Sequence, residues 1–461
     1  MHDRNPYKTP IDFVSLAKIY PKLKPFLLKP SGADVSTIDF KNVEAQRCLT
    51  EALLWRDFQV KFSLPEGRLC PPVPNRLNYI LWLQDIISES FHAFEKRPEV
   101  IGIDIGTGAS AIYPLLGCKV DPTWKFIGTE IDPVSHESAI ANVEKNGLGN
   151  WIRICKLSSP TPILTPFYDY PDECFTFTMC NPPFYADTND VERSAEGKAL
   201  EPNSVCTGSE VEMVTPGGEE TFVQRMVEES AGTNIRNRCL WFTSMLGKFS
   251  SVEKIRNVLR AHDVDNYALT ELVQGQTRRW VVAWSFTDLR LPDNLARNLP
   301  SPHHALLPPR NNCEQVLRNS GSVDVAELQE DLTNVLMALS GVTVVSDPDD
   351  HAEEPTSSSD QDRVRCNKES IYLRISATEN TWTRAARRSA NSRISQSSGK
   401  PVVMIVDISA KHKQLRTGEQ WILMGMWRRG RERGLFESFW SHVSRKVGSA
   451  VDNRVARSIP L

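Results

Sequence analysis

The chain has 461 residues, enough for two to three domains, with 40 % hydrophobic and 24 % charged residues. That composition excludes wholesale disorder, a collagen repeat and a small disulfide scaffold. Lys plus Arg number 54 against 57 Asp plus Glu, a formal net charge of −3, so any surface for a polyanion must come from local clustering of basic residues.

Residues 1–95 read as a helical N-terminal extension. Ile11–Leu28, Asn42–Phe58 and Leu77–Phe91 carry apolar residues at three- and four-residue spacing, separated by Pro65 and the Pro71-Pro72-Val73-Pro74 breaker. From residue 96 the pattern changes. Strands are expected at Val100–Ile105, Lys125–Ile131, Trp151–Leu157, Cys174–Cys180 and Arg238–Leu246, with helices at Ser110–Leu116, Pro133–Asn146, Glu219–Ser230 and Val252–His262. Such alternation predicts a doubly wound parallel sheet. Two last strands, Tyr267–Val273 and Trp280–Phe286, are joined only by Gln274–Arg279 and should form an antiparallel hairpin at one edge. The α/β domain therefore spans 96–288. Residues 289–312, rich in Pro, Asn and Arg, read as a linker, and 313–461 as a small α+β domain. Its acidic, Ser-rich insertion at 346–362 is expected to be disordered.

The ten cysteines form no C-x-x-C pair and the nine histidines no H-E-x-x-H, so no metal site is expected. No stretch approaches 18 uninterrupted apolar residues, so no membrane span is expected, and the polar first residues are unlike a signal peptide. The expectation is a soluble protein of the nucleus and/or cytoplasm; no oligomeric state follows from the sequence.

Three signals carry the chemistry. The first is Gly106-Thr107-Gly108, which follows a strand and precedes a helix that includes Ser110. Such a turn lets a ligand approach the backbone. The third glycine of a dinucleotide fingerprint is absent, since Ala111 stands there. The second is Glu130, ending the next strand, where an acid can accept both ribose hydroxyls of a nucleoside ligand; Asp132 is placed to cap the following helix. Together these two fit NAD and S-adenosylmethionine alike. The third selects between them. Asn181-Pro182-Pro183-Phe184 follows the fourth strand, which flanks the first at the switch point. The Asn181 carboxamide oxygen and the Pro182 carbonyl can accept from an exocyclic amine, freeing its delocalised lone pair for attack on a sulfonium methyl. Pro182 and Pro183 stiffen the turn, and Phe184 can stack on the acceptor ring.

Asn-Pro-Pro-Phe is a signature of amino-group methyltransferases. Longer stretches resemble the methyltransferase-like protein 16 family of U6 small nuclear RNA adenine-N6 methyltransferases and its bacterial relatives acting on 23S ribosomal RNA. They are Arg76–Ile80, Gly102–Leu116, Met179–Phe184, Met245–Lys248 and Gln274–Phe286. The resemblance implies a Rossmann-like class I fold with a seven-stranded sheet, and S-adenosylmethionine held by Arg76, Gly106, Ser110, Glu130, Thr161 and Asn181. It implies RNA contacts near Lys248, Gln274, Arg278 and Arg279. Tyr372–Trp382 and the arginines Arg384, Arg387 and Arg388 resemble part of the family's C-terminal RNA-binding region.

Pro160 stands where the family has a lysine in a cofactor-gating loop, and residues 186–216 are acidic and mixed where animal members are rich in Arg and Pro. Arg363–Arg393 with Trp382, and Arg428–Arg433 following Trp421 and Trp427, offer phosphate contacts and stacking planes for RNA. The rival readings are methylation of another structured RNA such as ribosomal RNA, a protein glutamine-amide methyltransferase, which also uses Asn-Pro-Pro-Tyr/Phe, and an RNA-binding regulator independent of methylation.

Overall fold

A computed structural model describes residues 1–29, 36–94, 96–158, 162–187, 210–275, 277–300, 303–318, 320–346, 370–390, 401–415 and 418–458. The acidic insertion lies almost wholly outside them, as do Pro160 and Thr161. The chain divides into two compact units. The first holds Met1–Ser88, Lys96–Thr287 and Leu295–Pro308; the second holds Glu89–Glu95, Asp288–Asn294 and Pro309–Leu461. The segment read as a linker is therefore no spacer, since its parts pack into one unit or the other.

In the first unit, helix α1 (Phe13–Ile19) is capped by Asp12, whose carboxylate accepts from Val14 and Ser15 N–H at 3.0 and 3.1 Å. The sequence periodicity runs on to Leu28, but Pro21 ends the helix and a 3-10 turn, Pro21–Phe26, follows. Helix α2 (Val43–Phe58) starts at the Asn42 cap. Helix α3 (Val73–Phe91) begins four residues ahead of Leu77, because Pro74 fits the first turn, where a missing N–H costs nothing.

The sheet contains β1 (Ile101–Ile105), β2 (Lys125–Glu130), β3 (Ile152–Lys156), β4 (Phe175–Cys180), β5 (Cys239–Leu246), β6 (Tyr267–Gln274), β7 (Thr277–Trp284) and the two-residue β8 (Arg297–Asn298). Helix α4 (Ile112–Val120) links β1 to β2, α5 (Pro133–Lys145) links β2 to β3, α6 (Gly218–Ser230) lies between β4 and β5, and α7 (Phe249–Ala261) between β5 and β6. The strand order is β8-β6-β7-β5-β4-β1-β2-β3. Strands β1 to β5 are parallel and β7 is antiparallel to both neighbours. The seven expected strands are present. Pairing of β6 and β7 extends to Gln274–Thr277, so β7 starts three residues before the apolar run that marked it. The eighth strand adds parallel to β6 from within the segment read as a linker.

Strand β4 is buried at every position, as a central parallel strand must be. Phe242 stacks on Trp284 at 5.9 Å, and Val223, Met226 and Val227 of α6 join the same core. A polar rail also crosses it: Thr243 N–H donates to Thr178 Oγ1, Thr243 Oγ1 to the Thr178 carbonyl at 2.7 Å, and Tyr79 Oη shares a hydrogen bond with Thr243 Oγ1 at 2.6 Å. The rail fixes β4 two residues before its end at Cys180, and so just ahead of Asn181.

The second unit is a five-stranded antiparallel sheet of β9 (Asn312–Leu317), β10 (Val342–Ser346), β11 (Ser370–Ala377), β12 (Met404–Leu415) and β13 (Gly418–Gly430), in the order β9-β13-β12-β11-β10. Helices α8 (Val325–Met337) and α9 (Arg433–Ser458) complete it, α8 through a capping box between Asp324 and Glu327. Its core takes Leu328, Leu332 and Leu336 from α8 and Phe436, Phe439, Val443, Val447 and Val451 from α9.

That core corrects the reading of the basic clusters. Trp382, Trp421 and Trp427 are buried, so none presents a face to a base. Trp382 Nε1 donates to Ser438 Oγ at 3.0 Å, and Trp427 stacks on Phe436 with the Arg290 and Arg433 guanidinia over its ring. Arg428 pairs with Asp407 at 2.6 Å and Arg429 with Asp288 at 2.9 Å. Arg428 and Arg433 of the second cluster thus serve the fold: pairing of a buried carboxylate and burial of an apolar ring offset their desolvation.

Candidate functional site

Strands β1 and β4 are neighbours, with Ile105 opposite Cys180 in the register. The next residue of each strand, Gly106 and Asn181, therefore leaves the sheet at the same edge, the switch point where α/β sheets take ligands. The glycine turn and the Asn-Pro-Pro-Phe loop are brought together by backbone pairing.

Gly106 and Gly108 have φ of +68° and +66°, which favours glycine. Their amides are tied down: Gly106 N–H donates to Thr129 Oγ1 at 3.3 Å, Thr107 N–H to the Thr129 carbonyl at 2.9 Å, and Gly108 N–H to Glu130 Oε2 at 2.9 Å. Ala111 takes φ of +48°, an uncommon conformation for alanine, at the N-cap of α4. Ser110, buried, accepts the Ile112 N–H on its hydroxyl at 3.3 Å.

The Glu130 Oε1 atom accepts from Ile131 and Asp132 N–H at 2.8 and 2.9 Å. Three of about four acceptor positions on this carboxylate are used, which leaves room for one ribose hydroxyl rather than two. Burial raises its pKa, and the amides of Asp132, Ile131 and Gly108 pull it back. Asp132 caps α5 through the Ser135 N–H at 2.8 Å and pairs with Arg68 at 2.8 Å. The N-terminal extension is also laced to α5. Buried Asn142 accepts the Ser63 N–H at 3.0 Å, returns a bond to the Ser63 carbonyl at 2.9 Å, and donates to the Ala109 carbonyl at 3.2 Å.

Among the described residues, two buried oxygens of the crevice have no hydrogen-bond partner, Asp104 Oδ1 and Asn181 Oδ1. Unmade bonds of this kind are costly unless a ligand completes them. Asp104 Oδ2 accepts the Thr107 hydroxyl at 2.7 Å. Burial pushes the Asp104 carboxyl up to about 7, against the pull of the Thr107 bond and the Arg76 charge. Arg76, also buried, donates from Nη1 to Tyr113 Oη at 3.1 Å, one of its five N–H donors.

On the acceptor side the Arg279 guanidinium lies over the Phe184 ring, 5.3 Å from its centroid, and Lys248 Nζ lies 6.0 Å from the centroid of the Tyr185 ring. The C-terminal end of the acidic, mixed segment 186–216 backs this loop. Tyr185 N–H donates to the Met213 carbonyl and Thr215 N–H to the Tyr185 carbonyl, and Gly218 packs on the Phe184–Ala186 backbone. The sequence signal for it is Gly217-Gly218-Glu219 at a helix start, both glycines at positive φ.

Gln274 and Arg278 lie at the β6–β7 hairpin, where Arg278 pairs with Glu271 at 2.9 Å. Arg384 and Arg388 are exposed on the short helix Arg384–Ala390 of the second unit; the side chain of Arg387 is outside the described set. Among the described residues no cluster of three His, Cys, Asp or Glu is placed to hold a metal, and no helix is long and apolar enough to cross a membrane.

The geometry fits S-adenosylmethionine: Arg76 for a carboxylate, Asp104 Oδ1 for an ammonium, Glu130 for a ribose hydroxyl. Comparison with known proteins agrees. The model of the family described as RNA methyltransferase matches residues 1–288. The U6 small nuclear RNA (adenine-(43)-N(6))-methyltransferase of Schizosaccharomyces pombe is 35 % identical over 416 residues, 89 % of this chain and 95 % of that protein. The crystal structure of the hMettl16 catalytic domain with the MAT2A 3'UTR hairpin 6 is 39 % identical, covers 62 % of this chain and 98 % of that one, and has a TM-score of 0.56. The N-terminal domain of human METTL16 in complex with SAH is 36 % identical over 62 % of this chain and 99 % of that one, with a TM-score of 0.52. S-adenosylmethionine is thus the cofactor that these residues fit, and the chain belongs to the RNA methyltransferase family.

Proposed function

We propose that the chain transfers a methyl group to N6 of an adenine in U6 small nuclear RNA. The carrying observation is Asn181 Oδ1, a buried acceptor without a partner among the described residues, one residue beyond the Ile105–Cys180 pair. Bound S-adenosylmethionine supplies an electrophilic sulfonium methyl. Asn181 and the Pro182 carbonyl accept the N–H groups of the adenine amine, which turns its lone pair out of conjugation. Phe184 stacks on the base, and the base must be single-stranded or extruded to reach it. Arg76, Asp104, Ser110 and Glu130 hold the cofactor. Lys248, Gln274, Arg278 and Arg279 face the RNA, and Arg384 and Arg388 add phosphate contacts from the second unit. The likeness to the Schizosaccharomyces pombe enzyme over nearly its whole length supports U6 as substrate. The described cysteines are free thiols, which suits the reducing nucleus or cytoplasm.

Purified chain incubated with U6 transcript and labelled cofactor, followed by digestion to nucleosides, tests this reading. Label is expected in N6-methyladenosine. Label elsewhere, or none while the chain binds cofactor, refutes it; label in a protein fraction instead supports glutamine-amide methylation.

A further inference from the structure

Behind the acceptor loop sits a buried carboxylate that takes no part in the chemistry above. Glu219, the second residue of α6, accepts Gly247 N–H on Oε2 at 2.5 Å, and Lys248 N–H and the Ser251 hydroxyl on Oε1 at 2.9 and 2.7 Å. These donors begin α7, whose own N-cap residue, Lys248, provides no side-chain cap. Glu219 does that work from a different helix.

The turn it holds is the wall behind Phe184. A Cβ on Gly247 would lie 2.8 Å from Phe184 Cδ1 and 3.0 Å from Glu219 Oε2, so the bare turn is gripped between ring and carboxylate. Gly218, next to Glu219, is in van der Waals contact with the other side of the loop, where a Cβ would lie 3.4 Å from Ala186 N and 3.5 Å from the Phe184 carbonyl. Gly218 and Glu219 therefore support both the backbone of Phe184 and the surface its ring rests on. Lys248, whose Nζ lies over Tyr185, is held at the same point.

We propose that Glu219 is a positioning residue for methyl transfer. It fixes the plane of the Phe184 ring, and so the angle at which the acceptor amine is presented to Asn181, while touching neither base nor cofactor. The proposal rests on the reading of Phe184 as the ring that stacks on the base. A displacement of about 1 Å at such a point costs about 10²-fold in rate.

Glu219→Gln is the discriminating change. Its carbonyl oxygen can still accept from Lys248 and Ser251, but its NH2 group faces the Gly247 N–H, donor against donor. The full chain is assayed with U6 transcript for kcat, by calorimetry for cofactor Kd, and by melting for Tm. Stacking is read from the fluorescence of a transcript carrying 2-aminopurine at the acceptor position. The expected result is a kcat lower by about 10²-fold, cofactor Kd within about twofold, and loss of 2-aminopurine quenching. Gly247→Ala drives a methyl against both the Phe184 ring and Glu219 Oε2, disturbing the same grip from the other side, and must give the same pattern; it decides the matter if Glu219→Gln fails to fold. Unchanged kcat and quenching, or a kcat loss matched by lost cofactor affinity and lower Tm, overturns the proposal. A fully active Phe184→Ala would instead overturn the reading of the ring, and this inference with it.

Discussion

The Thr107 hydroxyl donates to Asp104 Oδ2 at 2.7 Å, while Asp104 Oδ1, also buried, has no partner among the described residues. A carboxyl so placed, with its pKa pushed to about 7 by burial, is set to ionise when a cation arrives.

Cofactor affinity should therefore depend on pH. Pairing with the cofactor ammonium requires ionised Asp104, so below about pH 7 binding must release a proton. Affinity should fall about tenfold per pH unit there and be flat above. The cofactor-free fold has the opposite sign. A raised folded-state pKa gives stability that is fully present below the unfolded value, about 4, and is lost as pH rises through about 7. Calorimetry from about pH 5.5 to 8.5 measures the first effect and melting the second. Asp104→Asn should flatten both; a pH slope that persists in this variant contradicts the assignment.

Asn181→Ala should lower kcat by about 10²-fold or more, since it removes an acceptor that orients the amine. RNA affinity should change little, because phosphate contacts dominate it. Single-turnover kinetics with saturating cofactor separate the two quantities. A variant that loses RNA binding and keeps its rate would place Asn181 elsewhere in the reaction.

Phe184→Ala should weaken retention of the flipped base by about 1–3 kcal/mol, the usual worth of one base–aromatic stack. Arg279, which lies over the same ring, should then lose its cation–π partner. The measurement is quenching of 2-aminopurine at the acceptor position, with total RNA affinity as the control.

Arg384→Glu and Arg388→Glu should reduce RNA affinity without altering rate at saturating RNA. The slope of log K against log salt should flatten by about 1 for each phosphate that is no longer neutralised. Trp382→Ala should behave differently. Trp382 lies in the core of the second unit, so its truncation should cost about 3–5 kcal/mol and lower that unit's melting transition. Reduced RNA binding with an unchanged Tm would restore the exposed reading of Trp382.

The sheet was legible because its parts punctuate the chain locally: apolar runs with β-branched residues, Gly147 after α5, and Pro133 opening it. The placement of Asn181 and Glu130 at the strand ends was legible because strand ends at a switch point leave few places for polar groups. Glu219 was not. As the acid of Gly-Gly-Glu-Glu-Thr it reads as a first-turn charge favoured by the helix dipole, and its partners Gly247 and Ser251 become visible only once α6 and α7 pack together. Asp104 is hidden in a strand's apolar run, although an acid in Gly-Ile-Asp-Ile-Gly can only be buried at cost. The tryptophans of the second unit mislead for the reverse reason. Arginines beside aromatics look the same whether they meet RNA or stack on a buried ring, and Trp427 shows the latter. Helix α9 escapes a sequence reading despite Phe436, Phe439, Val443, Val447 and Val451 at helical spacing, because the basic run before it points toward RNA.

The lacing of Ser63 to Asn142 carries a timing consequence. The two residues are 79 apart in sequence. At about 5–20 residues per second of synthesis, the Ser63 strap leaves the ribosome about 4–16 s before its partner exists. The leading segment of a nascent chain must wait, its docking amides met only by water, until α5 has been made. A slow codon placed between the two would lengthen that vulnerable interval, and protease sensitivity of stalled chains would report it.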